Sequence, residues 1–87
     1  MARRIVKVDI THLRGIQGPI DVPNGAKALS VIGINGSIWL WLEADAETLH
    51  KVTRIVSIVR NDGVLVANRG EFVGTVMLGD AWHVFVG

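Results

Sequence analysis

The chain is a succession of short runs in which apolar and polar residues alternate with a period of two. Along residues 4–11, Val6, Val8 and Ile10 fall on one side and Lys7 and Asp9 on the other, the pattern of a half-buried strand. Gly15 and Gly18 break that run, and residues 19–22 predict a short second strand. Pro23-Asn24-Gly25 then predicts a turn, because Pro fixes φ and Asn-Gly accepts positive φ. Two β-rich runs, 28–34 and 37–44, are separated only by Asn35-Gly36, which predicts a type I′ hairpin. Residues 45–50 hold the one plausible helical turn, with Asp45 as its cap, too short to stand on propensity. A long strand is predicted at 51–60, a turn at Asn61-Asp62-Gly63, and a last hairpin from 72–78 and 81–86, with Gly79 suited to a type II′ turn. Six or seven short strands joined by tight turns predict an all-β chain, a small antiparallel barrel or sandwich.

Several predicted strands are apolar on both sides. In 51–60, Val52, Val56 and Ile58 oppose Ile55 and Val59; in 37–44, Ile38, Leu40 and Leu42 oppose Trp39 and Trp41; in 81–86, Trp82, Val84 and Val86 oppose His83 and Phe85. A single core hides one side of each strand. The second side requires a rear layer of loop, or a partner subunit, since large exposed apolar patches mark interfaces. A homo-oligomer is the expectation; a compact barrel with partly exposed aromatics is the alternative.

Composition narrows the picture. The 87 residues form one domain, and 13 Val and nine Ile favour strands. Nine Lys+Arg against eight Asp+Glu leave a net charge of +1, too little for a dedicated binder of extended nucleic acid. There is no cysteine, hence no disulfide framework or thiol chemistry. No signal peptide is read at the start, and the longest uncharged window, 28–42, is short of the ~20 residues of a membrane helix. A cytoplasmic protein without membrane contact is expected.

Motifs for chemistry are sparse. His12, His50 and His83 are too far apart to form a local metal motif, and no P-loop, nucleophile elbow, dinucleotide fingerprint or zincin motif occurs. Asp80 and His83 flank a turn, where an Asp–His pair is usually structural, and His83, between Trp82 and Phe85, reads as a hydrogen-bonded, mostly buried histidine. The expectation is a non-enzymatic protein with no cofactor and no metal. Aromatic residues are more suggestive. Trp39 and Trp41 share one side of a strand, as interface residues and base-stacking platforms do. Six of the nine basic residues are Arg, whose fork matches phosphates. The candidate ligand-binding set is therefore Trp39, Trp41, Arg54, Arg60, Arg4, Trp82 and His83, for a small anionic, nucleotide-like ligand held at a subunit boundary. The plain alternative is that the tryptophans are packed dimer contacts and the arginines are solvated.

Three stretches carry a resemblance. Pro23-Asn24-Gly25-Ala26-Lys27-Ala28-Leu29-Ser30-Val31 follows P-x-G-A-x-x-L-S-V. Gly36-Ser37-Ile38-Trp39-Leu40-Trp41-Leu42-Glu43-Ala44-Asp45 follows G-x-I-x-L-W-x-x-x-D. Gly74-Thr75-Val76 with Trp82-His83-Val84-Phe85 follows G-T-V … W-H-V-F. In this order they resemble a family of small, mostly uncharacterised β-rich proteins encoded by bacteriophages and prophages. The pattern departs after Ile58, where Val59-Arg60-Asn61-Asp62-Gly63 replaces a Thr-Gly turn. The resemblance implies a phage origin, a compact β fold and host cytoplasm as the setting, with no catalytic residues to transfer. Phage accessory proteins below ~100 residues have little core to spare for an active site. The functional expectation is a homo-oligomeric binder that counters host defence by sequestering a nucleotide-derived immune signal. Two alternatives stand beside it: an inhibitor of a host nuclease or defence effector, and a phage structural component.

Overall fold

A computed structural model describes residues 2–87. Seven strands follow one another: β1 (Arg3–Asp9), β2 (Gln17–Pro23), β3 (Lys27–Ile34), β4 (Ser37–Asp45), β5 (Lys51–Arg60), β6 (Glu71–Met77) and β7 (Ala81–Val86). They form two antiparallel sheets, a three-stranded one in the order β1-β4-β3 and a four-stranded one in the order β2-β5-β7-β6. The protein is an all-β sandwich, as the alternation predicts. Among the described residues the only helical turn is a 3-10 turn at Thr11–Leu13, which links the sheets and buries Leu13.

The core is filled by the inward positions of both sheets. Ile38, Leu40, Leu42 and Ala44 of β4 are fully buried and face Val56, Ile58, Val84 and Val86 across the sandwich. Each buried Val, Leu or Ile contributes on the order of 1.5–3 kcal/mol. Asn35 and Gly36 both take positive φ (51° and 80°), so the hairpin between β3 and β4 turns as Asn-Gly predicts.

One side of the sandwich closes as a barrel does. The edge strands β3 and β6 run side by side in the same direction without a ladder. A Cβ on Gly74 would stand 3.0 Å from Val31, so the glycine lets the two backbones approach. Each strand carries an irregularity just before that contact, between Ala28 and Ser30 in β3 and between Phe72 and Gly74 in β6. Bulges at a barrel corner bend the strands toward closure.

Three local expectations are corrected. Residues 45–50 form no helix: Asp45 accepts from the Glu47 amide at 2.9 Å and closes a single turn, because nothing beyond it extends the ladder. The last hairpin is not the two-residue type II′ form; Met77 pairs with Ala81, leaving Leu78, Gly79 and Asp80 in a three-residue loop, with Gly79 at φ 72°. The first strand ends at Asp9 rather than Thr11, because Asp9 accepts from the Thr11 amide (2.9 Å) and hydroxyl and starts the 3-10 turn.

Candidate functional site

The register fixes the outer face of the three-stranded sheet. Three rows cross it from β1 through β4 to β3: Asp9–Trp39–Ile32, Lys7–Trp41–Ser30 and Ile5–Glu43–Lys27. The alternation that buries Leu40 and Leu42 therefore drives Trp39 and Trp41 outward on the central strand. Trp41 is 38% exposed, and Ile5, Ile32 and Ile34 around it are exposed as well. The Lys7 ammonium lies 5.0 Å from the Trp39 ring centroid, a cation–π contact worth about 0.5–1 kcal/mol at the surface. At the rim, Arg3 meets Glu43 at 3.4 Å. The Thr11 hydroxyl and amide beside Asp9 hold its carboxyl below the usual range, so it stays charged on this face. The result is an apolar-aromatic strip edged by both signs of charge.

The other sequence candidates lie elsewhere. Arg54 and Arg60 do share a side of β5, but six residues, about 20 Å of strand, separate them. At one end Arg54 donates to the carbonyls of Gly87 and Ala26 (3.1 Å to the latter). Arg4, exposed at the start of β1, belongs to this same end by register with Ala44. At the opposite end Arg60 pairs with Asp80 at 2.7 Å, which holds the Asp80 carboxyl below its usual range. Trp82 lies at that end too; its indole N–H donates to the Leu78 carbonyl at 3.1 Å, and the Arg14 guanidinium stacks 5.5 Å from its ring. His83 is on the outer face of the four-stranded sheet, half-buried between the Thr75 hydroxyl (2.9 Å) and the Asn61 side-chain oxygen (3.3 Å). Asp80 is taken by Arg60 and the Ala81 amide, and no Asp80–His83 hydrogen bond forms. The seven residues thus divide among two faces and two ends, and a single composite pocket of Trp and Arg is not assembled within one chain.

The sequence missed Lys7, whose position opposite Trp41 comes from the long-range pairing of β1 with β4. It also missed a cleft of about 230 Å³ where β3 and β6 diverge below the Val31–Gly74 contact, which brings Lys27 and Arg54 beside Phe72. A second cleft of about 200 Å³ lies between Ile16, Val59, Gly63, Val64 and Val66, and the hydrogen-bonded pair Gln17–Ser57 (2.9 Å) lines it. Among the described residues no cluster of three or more His, Asp or Glu side chains could hold a metal ion. None of their helices is long and apolar enough to cross a membrane.

The chain is thus a small two-sheet β protein with an uncovered tryptophan face. It belongs to the family defined as "Domain of unknown function (DUF7352)", which matches residues 1–87. No curated protein and no solved structure matches it.

Proposed function

We propose that the protein is a non-enzymatic binding module that uses the Trp39–Trp41 face to hold a nucleotide-derived immune signal, in a homo-oligomer that counters host defence. One observation carries the binding reading: two indoles project from the central strand of a sheet that no described segment covers, with the Lys7 ammonium over one of them. Flat aromatic rings beside a cation suit an aromatic base and a phosphate. The setting in a phage-infected cell rests on the sequence resemblance, not on the geometry.

Indole emission provides the test. Titration with cyclic mono- and dinucleotides and with cyclic ADP-ribose is expected to quench Trp41 for at least one of them. Removal of the protein by filtration should then deplete that signal from solution. Undiminished signal across the panel, with no change in emission, removes the nucleotide reading.

A second reading is favoured by the placement of Arg4, Arg54 and Arg60 at the ends of the sandwich. With Lys7 near Asp9 and Glu43, the face has the mixed charge and central tryptophans of a protein-binding hot spot. Stoichiometric capture of one host nuclease or defence effector, lost in Trp41→Ala, would favour it.

A further inference from the structure

The open edge of β1 offers a way for copies to join that leaves the tryptophans free. Pairing along the strand is set by two flanking hydrogen bonds: the Ile10 amide donates to the Ile38 carbonyl at 2.9 Å and the Ala46 amide to the Ala2 carbonyl at 3.0 Å. Both continue the β1–β4 register, so the even residues of β1 bond β4 and the odd residues alternate away from it. The main-chain groups of Arg3, Ile5, Lys7 and Asp9 therefore point out of the sheet edge. The other edges are shielded: β2 carries Pro19 and Pro23, and β3 and β6 lie against each other.

We propose that two copies pair antiparallel through β1, with Arg3 opposite the partner's Asp9, Ile5 opposite the partner's Lys7, and Val6 opposite the partner's Val6. Charge selects this register. Hydrogen bonding of odd residues to odd residues permits shifts only in steps of two. One step one way sets Lys7 opposite the partner's Arg3; one step the other way sets Lys7 opposite the partner's Lys7. Like charges directly opposite are destabilising. The chosen register instead joins opposite charges twice, and it pairs β1 along its whole length. The product is a six-stranded sheet, β3-β4-β1-β1-β4-β3, with both tryptophan strips on one side. Between the two Trp41 side chains lie Lys7 and Ile5 of each copy, so the partner completes the surface: two aromatic platforms flanking a central pair of lysines, with Glu43 of each copy at the far end of the other's row. This deepens the binding function proposed above and rests on it only for the ligand. It points to an anion carrying two aromatic rings, such as a cyclic dinucleotide.

Sedimentation of the intact protein tests the assembly. The wild type is expected to be a dimer at tens of micromolar. Ile5→Pro removes an outward amide without touching the β1–β4 ladder and should give a folded monomer, checked by near-ultraviolet circular dichroism. Arg3→Asp and Asp9→Arg each place like charges opposite at both contacts and should be monomeric alone, whereas an equimolar mixture should form a heterodimer. Trp41→Ala should remain dimeric. A monomeric wild type, a dimeric Ile5→Pro protein, or a mixture that stays monomeric overturns the pairing. Quenching of wild-type emission by a cyclic dinucleotide is scored separately: a dimer without quenching removes the ligand reading alone, and a monomer with quenching removes the edge pairing alone.

Discussion

The two outer faces of the sandwich solve the same problem differently. Both sheets have apolar residues on the side away from the core. On the four-stranded sheet, the segment between β5 and β6 folds back over that side. Arg69 stacks 5.2 Å from the Phe85 ring, the Arg69 guanidinium donates to the Val66 carbonyl at 3.1 Å, and Asn61 meets His83. Phe85 and Ser57, both on the outward row, end up buried. That cover is partial, since Ile55, Phe72 and Met77 stay exposed on the same side; over the three-stranded sheet no described segment lies at all, and Trp41, Ile32 and Ile34 stay exposed. An apolar second face is thus not by itself a sign of a partner: where the loop reaches, over Phe85 and Ser57, the face is structural, and where no described segment covers it the face is free to bind.

The sharpest division lies within one strand. Leu40 is fully buried and its neighbour Trp41 is outside. Leu40→Ala is expected to lower stability by about 2–5 kcal/mol, read from chemical denaturation, because it leaves a cavity between the sheets. Replacement of residues 62–69 by a short Gly-Ser link strips the four-stranded sheet of its cover. The expected loss is about 1.5–3 kcal/mol, the worth of one large apolar side chain returned to water, here Phe85. A variant of unchanged stability would mean that the segment is no cover at all and that the two faces are alike.

Fold class was legible because β-branched alternation and Asn35-Gly36 act locally: a two-residue period and a two-residue turn need no distant partner. The covered face was not legible. Asn61 to Gly70 reads as a loop, and Val64-Leu65-Val66 within it shows no period that reveals what lies beneath. The same limit applied to the site. Trp39 and Trp41 were found because they share a parity on one strand. Arg54 and Arg60 share a parity too, yet strand rise carries them to opposite ends, where backbone carbonyls and Asp80 engage them. Lys7 escaped notice because its place beside the indoles depends on pairing across more than thirty residues of chain.

Smaller effects sharpen the contrast at its edges. Arg69→Ala removes the stack on Phe85 and should cost about 0.5–1 kcal/mol. Acid titration probes Asp9 beside the tryptophan face and Asp80 at the sandwich end. Both carboxyls are held below their usual range in the folded chain, Asp9 by Thr11 and Asp80 by Arg60. A depressed carboxyl adds stability above its unfolded pKa of about 3.9 and loses it as pH falls through the folded value. The melting temperature should therefore decline below about pH 4, and the decline should flatten in Asp80→Asn.

Trp41→Ala gives a modest effect on folding and the most decisive one on function. The side chain lies on the bare face between Lys7 and Ser30 and is not among the buried residues of the core. Its removal takes no support from Leu40 or Leu42 beneath, but at 38% exposed the indole is more than half covered by its neighbours on the face, so a loss of about 1 kcal/mol is expected. The same change deletes an aromatic platform, and base–aromatic stacking is worth about 1–3 kcal/mol per base, or roughly five- to 150-fold in affinity. A variant that folds cooperatively to the wild-type structure but no longer retains the ligand would separate binding from folding at one residue. Destabilisation by several kcal/mol would instead show that this face, like its counterpart on the other sheet, serves the fold.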